Sequence, residues 1–191
     1  NAGIVYTCNI DGSDTSVYIT KSIAIDIIQR AVSAEKAKNL YINNCYFQDN
    51  YFAINNKYCS GNIEYNEFSN NYYDIYYSRA YRLHNEIHYN NFYNSYNNSI
   101  YLTGKINNIT NNNFYGLSDY FIYILQPYTP FSMVYDDVNA TNNYWAVEEV
   151  SQYLADAEDD PRCPYHIIYL PKLANPVNKT GIQWQDNTYV Y

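Results

Sequence analysis

The sequence predicts an all-β solenoid, a stack of coils of about 22 residues each, and three observations lead to this prediction. A six-residue segment recurs five times, with an apolar residue first, a polar turn-former fourth and an aromatic residue last. Its first four aromatic residues are 21, 24 and 22 residues apart, and the fifth follows after 31. An isoleucine trails each of the first four by seven or eight residues. The segments are residues 42–47, 63–68, 87–92, 109–114 and 140–145.

Each coil has room for three short strands and three turns, because about 22 residues at roughly 3.3 Å each give a perimeter of about 70 Å. A unit of this size cannot bury its apolar face alone, so stacking must build one continuous core. The isoleucine, the aromatic residue and the trailing isoleucine each mark the inward face of one strand. Coils stacked at about 4.8 Å place like residues over like.

Two columns of equivalent residues follow from this stacking. The polar fourth residues form a structural ladder at one turn, where asparagine amides can hydrogen-bond from coil to coil as in cross-β assemblies. The ladder is Cys45, Asn66, Asn90, Asn112 and Asn143, with the cysteine ending it. The aromatic residues form a core stack of Phe47, Phe68, Phe92, Phe114 and Trp145.

Residues 1–39 are interpreted as an N-terminal cap and a degenerate first coil. Strand-like alternation covers residues 17–19 and 23–27, and one repeat counted back from Ile54 arrives at Val32. An amphipathic helix over residues 22–37 is the competing interpretation. In either case this end must cover the first coil, whose open strand edges would otherwise invite pairing.

Residues 40–146 contain the regular coils, and residues 147–191 form a C-terminal cap and tail. The wider spacing before the fifth segment inserts a loop at residues 125–139, which is either part of a binding face or a tolerated surface excursion. Residues 147–156 are interpreted as a short helix, with apolar residues at 147, 150 and 154. Residues 167–170 are interpreted as a covering strand, and the tail from Asn178 as a segment that docks on a neighbouring subunit.

A resemblance to a known superfamily supports this architecture. The segments from Ile63 to Trp145 share the pattern Ile/Ala-x-x-Asn-x-aromatic, and residues 159–161 and 167–171 complete a closing stretch. The pattern resembles the right-handed, single-stranded parallel β-helix of the pectate-lyase-like superfamily, closest to the "carbohydrate-binding and sugar hydrolase" repeats of archaeal and bacterial surface proteins. It covers roughly residues 40–176 and departs where Ala146 replaces an expected glycine. The resemblance implies the fold and is nearly silent on chemistry.

Composition excludes several classes of partner. The net charge of −8 disfavours duplex nucleic acid and anionic membranes. The longest apolar runs fall short of the 18 or so residues of a transmembrane helix, so we expect no membrane span. The chain begins at Asn1 and its only methionine is Met133, which suggests a processed chain or an excised fragment.

The cysteines and sequons fit an extracellular protein but do not require one. Four cysteines without a C-x-x-C pair argue against zinc and allow two disulfides, Cys45–Cys59 as a local pair and then Cys8–Cys163. Buried free thiols are the alternative. Glycosylation sequons occur at Asn97, Asn108, Asn139 and Asn178, a number that chance explains in a chain so rich in asparagine.

No residue pattern indicates catalysis or a metal site. His84 and His88 would share a helix face, but the repeat makes Ile87 a strand residue, so these histidines and their neighbours Arg79, Arg82 and Glu86 are expected on an outer face. A glycosidase needs two carboxyls roughly 5 to 10 Å apart, whereas Asp49, Asp74 and Asp119 occupy different positions of the repeat. The lyases and hydrolases of the superfamily use clustered acidic residues, and none can be carried over here. Acidic runs at 136–137 and 158–160 are solvated patches or calcium ligands.

Tyrosine, with 27 copies, is the residue type best suited to form a contact surface. Aromatic rings with a polar tip suit saccharide stacking and protein–protein contacts. Stacking that only stabilises the rod is the other interpretation. We expect Tyr73, Tyr77, Tyr96, Tyr101 and Trp184 on such a binding or assembly face.

These features lead to a functional expectation. We expect a non-enzymatic structural protein at an extracellular, cell or virion surface, without a cofactor. It would associate with itself or with other surface or coat proteins, as in a filament, a coat or a virion appendage. The alternative is a β-helix that binds or cleaves carbohydrate, with glycans as partners and a groove that combines aromatics with two carboxylates. A metal-handling periplasmic module is a remote third option.

Overall fold

The computed structural model describes residues 6–9, 16–80, 85–104, 108–116, 118–125, 137–155 and 166–183. Within these ranges the chain forms three parallel β-sheets, with roughly 23 residues per coil. The all-β solenoid predicted from the repeat is therefore confirmed. None of the described residues belongs to a helix that could traverse a bilayer.

Each sheet takes every third strand, so each coil contributes to all three. Sheet A orders β1 (Tyr6–Asn9), β4 (Arg30–Glu35), β7 (Phe52–Lys57), β10 (Tyr73–Ala80), β13 (Asn98–Gly104), β16 (Tyr120–Ile124) and β19 (Leu154–Ala155). Sheet B orders β2 (Ser16–Thr20), β5 (Asn39–Asn43), β8 (Gly61–Glu64), β11 (Asn85–His88), β14 (Asn108–Thr110), β17 (Val138–Asn139) and β20 (Ile167–Ile168). Sheet C orders β3 (Ile23–Ile25), β6 (Tyr46–Gln48), β9 (Glu67–Ser69), β12 (Asn91–Tyr93), β15 (Asn113–Tyr115) and β18 (Tyr144–Trp145).

The first regular coil starts earlier than residue 40. Val32 pairs with Ile54 in register, as counting back one repeat predicted. The competing helix over residues 22–37 is wrong, because β3 and β4 occupy this stretch and pair with β6 and β7. Pairing with the next coil buries Ala31, Val32 and Ala34, and this tertiary burial overrides the local helical preference.

The predicted helix at residues 147–156 is wrong over most of its length. Only a single 3₁₀ turn forms, at Val150–Tyr153, and Leu154–Ala155 joins sheet A instead. Leu154 lies in register with Ile122, so the inward column of sheet A continues through this last strand. The expected covering strand is present but short, as Ile167–Ile168 paired with β17.

The abundance of asparagine has a backbone cause at two of the three corners. Residues that precede the corner positions adopt a left-handed conformation, which asparagine tolerates better than most residues. Between sheets B and C these residues are Asn44, Tyr65, Tyr89, Asn111 and Asn142, with φ between 54° and 58°. Between sheets C and A they include Asp26, Asp49, Asn70 and Asn94, with φ between 51° and 59°.

Residues 171–183, which we call the strap, run back over the outside of sheet C. The backbone N–H of Leu173 donates to the carbonyl of Asn143 at 2.9 Å, and that of Gly181 donates to the carbonyl of Tyr89 at 2.9 Å. The backbone N–H of Gln183 reaches the Asn44 side chain at 3.0 Å. As far as Gln183 the tail therefore packs against its own chain. Trp184 and the residues after it lie outside the described part of the chain.

Candidate functional site

The predicted ladder is confirmed. The backbone N–H groups of Cys45, Asn66, Asn90 and Asn112 each donate to the side-chain oxygen of the asparagine in the following coil, at 2.8 to 3.0 Å. Each asparagine amide also donates to a backbone carbonyl, such as Asn90 Nδ2 to Ile63 O at 2.8 Å. Cys45 ends the column, and burial raises the pKa of its thiol to about 11. The ladder thus uses its polar groups for structure.

The predicted core stack is confirmed as well. Ring centroids from Phe47 to Phe68, Phe92, Phe114 and Trp145 are 5.2, 5.0, 4.8 and 4.4 Å apart, and the rings lie within 11° of parallel. This row fills the interior beside sheet C. The interior therefore has no room for a ligand along this row.

A second polar column, which the sequence reasoning missed, lies at the corner between sheets C and A. Asn50 donates from both its backbone N–H and its amide to Asn71 Oδ1, at 2.9 and 2.8 Å. Asn71 Nδ2 donates to Asp74 at 2.9 Å, and the hydroxyl of Ser95 donates to the other oxygen of that carboxyl. The sequence does contain a signal for this column, since a polar residue stands three positions after Phe47, Phe68 and Phe92.

Asp74 is the one strongly perturbed carboxyl among the described residues. It is fully buried, and the loss of hydration raises its pKa to about 7. Hydrogen bonds from Ser95 and Asn71 lower the pKa but do not cancel this rise. A poised carboxyl in a cleft would suggest general acid–base catalysis. Asp74 lies in the packed interior, however, where Asn71 and Ser95 donate to its two oxygen atoms.

The exposed surface of sheet A carries the most distinctive feature of the molecule, two neighbouring columns of aromatic rings. Phe52 stacks on Tyr73 at 4.9 Å in one column. Tyr76, Tyr101 and Tyr123 stack at 4.7 and 5.4 Å in the other. We define the aromatic face as Phe52, Tyr73, Tyr76, Tyr101, Tyr120 and Tyr123, flanked at the corner by the stacked pair Tyr51 and Tyr72.

Edge-to-face contacts connect the two columns into one surface. The ring of Tyr73 contacts those of Tyr76 and Tyr101 at centroid distances of 5.8 and 5.9 Å, with interplanar angles of 74° and 76°. Both geometries are favoured by the aromatic quadrupole. Because each ring is held by its neighbours, the face is preorganised and needs little ordering when a partner binds.

Charge lies at the ends of the aromatic face. Arg30 on β4 is exposed, and its guanidinium lies 6.0 Å from the centre of the Phe52 ring. At the other end Asp119, also exposed, directly precedes Tyr120 of β16. Between these two ends, the outward positions along the columns are all uncharged. They are Phe52, Asn55, Tyr73, Tyr76, Asn98, Tyr101, Tyr120 and Tyr123.

Two asparagines on this face have unsatisfied oxygen atoms. Asn55 and Asn98 are 8% and 3% exposed, and within the described part of the chain no donor reaches the Oδ1 atom of either. A buried acceptor without a donor costs about 1 to 3 kcal/mol. Such groups are rare in native proteins and favour a contact that supplies the missing donor.

A shallow cleft of about 320 Å³ adjoins the N-terminal end of the aromatic face. Its lining combines apolar, aromatic, amide and guanidinium groups, from Ile28, Gln29, Arg30, Tyr51 and Phe52. This mixture resembles the lining of small-ligand sites, although the cleft lies at the lower limit of their size.

The face contains some of the tyrosines predicted for it and not others. Tyr73 and Tyr101 belong to it, whereas Tyr96 lies at the corner and is 66% exposed. Tyr77 was wrongly assigned, because it is 1% exposed and points inward, two residues along the strand from the inward-facing Ile75. Trp184 lies outside the described residues.

The expected Cys45–Cys59 disulfide is wrong, since both cysteines are buried and neither forms a disulfide bond. The two residues lie at different corners, one between sheets B and C and the other between sheets A and B. The backbone N–H of Cys59 bonds Asn56 Oδ1 at 3.1 Å, which fixes it at its own corner. The expected Cys8–Cys163 disulfide stays a prediction, because the side chain of Cys8 and all of Cys163 lie outside the described residues.

The histidine and acidic residues singled out in the sequence do not assemble a metal site. His88 Nε2 lies 2.7 Å from Glu64 Oε2, and its Nδ1 lies 3.8 Å from Glu86, on the outer surface of sheet B. Among the residues described, no group of three or more His, Cys, Asp or Glu side chains could hold a metal ion. His84, Arg82, Asp136 and residues 158–160 fall outside them.

The four sequon asparagines occupy outer positions. Asn97 donates to the hydroxyl of Tyr72 at 3.2 Å beside the aromatic face. Asn108 and Asn139 lie in register on sheet B, joined by a 2.9 Å hydrogen bond, so two glycans there would collide. Asn178 is exposed on the strap.

Neither a protein-family model, nor a curated protein, nor a solved structure matches this chain. Its architecture and its surface are therefore the grounds on which a function can be argued.

Proposed function

We propose that this chain is a non-enzymatic structural β-helix of an extracellular, cell or virion surface, which presents its aromatic face for assembly. We further propose kinship with the pectate-lyase-like β-helices, supported by the Asn-x-aromatic repeat. The observation that carries the functional proposal is the preorganised aromatic face. Tyrosine and phenylalanine on a rigid, largely uncharged surface are the composition typical of interface cores.

The placement of the carboxylates supports a role without catalysis. Asp49 and Asp119 are exposed at separate turns, and the buried carboxyl of Asp74 accepts hydrogen bonds from Asn71 and Ser95. A glycosidase needs two carboxyls on either side of one sugar. The expected outcome is that the chain releases neither reducing nor unsaturated ends from a panel of acidic and neutral polysaccharides. Release by freshly purified protein, lost on Asp119→Asn, would contradict the proposal.

A carbohydrate-binding role is the second candidate, and the cleft beside Arg30 is the observation that favours it. Tyr51 and Phe52 offer ring faces and edges for a pyranose, while the guanidinium of Arg30 suits a sugar carboxylate. This candidate predicts that uronic-acid oligosaccharides bind, as seen by calorimetry. Tyr51→Ala should abolish that heat and Tyr18→Ala, on sheet B, should not.

A further inference from the structure

We infer that the partner of the aromatic face is a second copy of this chain, docked face to face with the two solenoids antiparallel. The inference rests on the proposed structural function and names the partner. The twofold axis would run along the strands at β10, so that β4 lies opposite β16 and β7 opposite β13. Such a contact is isologous, with the same patch on both copies.

Steric complementarity favours the antiparallel arrangement. It places three of the rings opposite smaller side chains: Phe52 opposite Asn98, Tyr101 opposite Asn55, and Tyr123 opposite Ser33. Only Tyr73 and Tyr76 meet their own counterparts, at the axis. A parallel arrangement would pair Phe52 with Asn55 and Tyr101 with Asn98, but it would set ring against ring at β16 as well as at β10. Alternating large and small residues across a contact allows the two surfaces to interdigitate.

Charge complementarity favours the same arrangement. The exposed Arg30 at one end of the face comes to Tyr120 and Asp119 at the other end of the second copy, and this happens twice by symmetry. Two bodies of net charge −8 repel each other, so they can associate only through a patch without like charges. The centre of the aromatic face is such a patch.

One of the two unsatisfied asparagines, Asn55, gives a third argument, whereas Asn98 lies opposite Phe52, which has no donor. Asn55 Oδ1 lacks a donor within the described chain, and antiparallel docking brings the Tyr101 hydroxyl of the other copy over it. A phenol that donates to this oxygen would remove part of the cost of its burial.

The available area sets the expected strength. The 38 residues in the strands of sheet A, at about 4.8 Å by about 3.3 Å each, give a face of about 600 Å² per copy. The total of about 1,200 Å² lies at the lower end of specific interfaces. A reversible dimer with a dissociation constant on the order of micromolar is the expected result.

Sedimentation equilibrium of the full chain, from about 1 to about 500 µM, tests the inference. The expected mass rises from 22.5 kDa to twice that value. Tyr76→Glu places two carboxylates together at the axis and should weaken the dimer at least about 100-fold. The control is Tyr41→Glu, since Tyr41 also stacks at 4.9 Å but on sheet B. It should leave the dimer unchanged, and circular dichroism establishes that both variants fold.

A charge exchange tests the orientation. Arg30→Glu should weaken the dimer about 10-fold, and adding Asp119→Arg should restore it. A wild type that stays monomeric, a dimer insensitive to Tyr76→Glu, or a double variant no better than Arg30→Glu would overturn the antiparallel dimer. Those results leave the structural role intact, whereas polysaccharide cleavage would contradict that role whatever the oligomeric state.

Discussion

Asn90 shows how much one side chain can carry in this fold. Its Oδ1 accepts from the backbone of Asn66, and its amide donates to the carbonyl of Ile63 and to Asn112. Each partner is buried, so removal of the amide leaves several groups unpaired at once. A single substitution in the ladder is therefore expected to lower the stability of the fold.

Asn90→Ala is expected to lower the free energy of unfolding by about 2 to 4 kcal/mol, because it orphans buried donors and acceptors. Chemical denaturation followed by circular dichroism measures this. Asn62→Ala, on the outer surface of sheet B, is the matched control and should change the value by less than about 0.5 kcal/mol. Equal effects of the two substitutions would show that the ladder contributes little.

Asp74 should make stability depend on pH. Its pKa is about 7 in the folded chain and 3.8 in the reference state, so the folded state binds the proton more tightly. The protonated carboxyl therefore stabilises the folded state fully below about pH 4. This stabilisation, at most about 4 kcal/mol, is lost as the pH rises to about 7.

Asp74→Asn should flatten this part of the profile, because an amide can accept from Asn71 and donate to Ser95 without ionising. Urea denaturation between about pH 4 and pH 8 measures it. Asp49→Asn, at an exposed turn, should leave the slope unchanged. A slope that persists in the Asp74 variant would assign the dependence to other groups.

Among the elements, the strap depends on a close approach at one glycine. A Cβ atom at Gly181 would lie 2.5 Å from Asn91 Nδ2, and the residue has a φ of +69°. Both facts disfavour any other residue there. Nearer the start of the strap, Val177 donates to Asn113 Oδ1 at 2.7 Å and accepts from its amide at 3.1 Å.

Gly181→Ala is therefore expected to detach the end of the strap without unfolding the coils. Hydrogen exchange of residue 181, whose amide now donates to Tyr89, should accelerate at least about 10-fold. Asn175→Ala, at an exposed position of the same strap, should have no effect there. Unchanged exchange at residue 181 would mean that the strap tolerates the added methyl group.

The elements also show what sequence reasoning could and could not reach. The ladder and the core stack were predictable because each places one residue type at one position of the repeat. Tyr77 was misassigned because tyrosine occurs on both sides of β10, so only the alternation around Ile75 separates inward from outward. The strap could not be foreseen, since it has no periodicity and docks by contacts as distant as Gln183 with Asn44.

For the whole molecule, contacts between adjacent coils are the source of cohesion. Phe92→Ala should open a cavity between Phe68 and Phe114 and cost about 3 to 5 kcal/mol. Hydrogen exchange should accelerate in β9 and β15 far more than in β2. Uniform acceleration along the chain would show that the coils unfold as one unit.

The hydrogen bonds of the ladder keep nearly the same length whether a coil has 22 or 31 residues. Asn90 and Asn112 are 22 residues apart and Asn112 and Asn143 are 31 apart, yet the corresponding backbone-to-amide bonds measure 3.0 and 2.8 Å. Extra sequence is thus accommodated away from the corner that holds the register. The same tolerance would let a foreign peptide be grafted into that longer coil for display, with the scaffold beneath it unaltered.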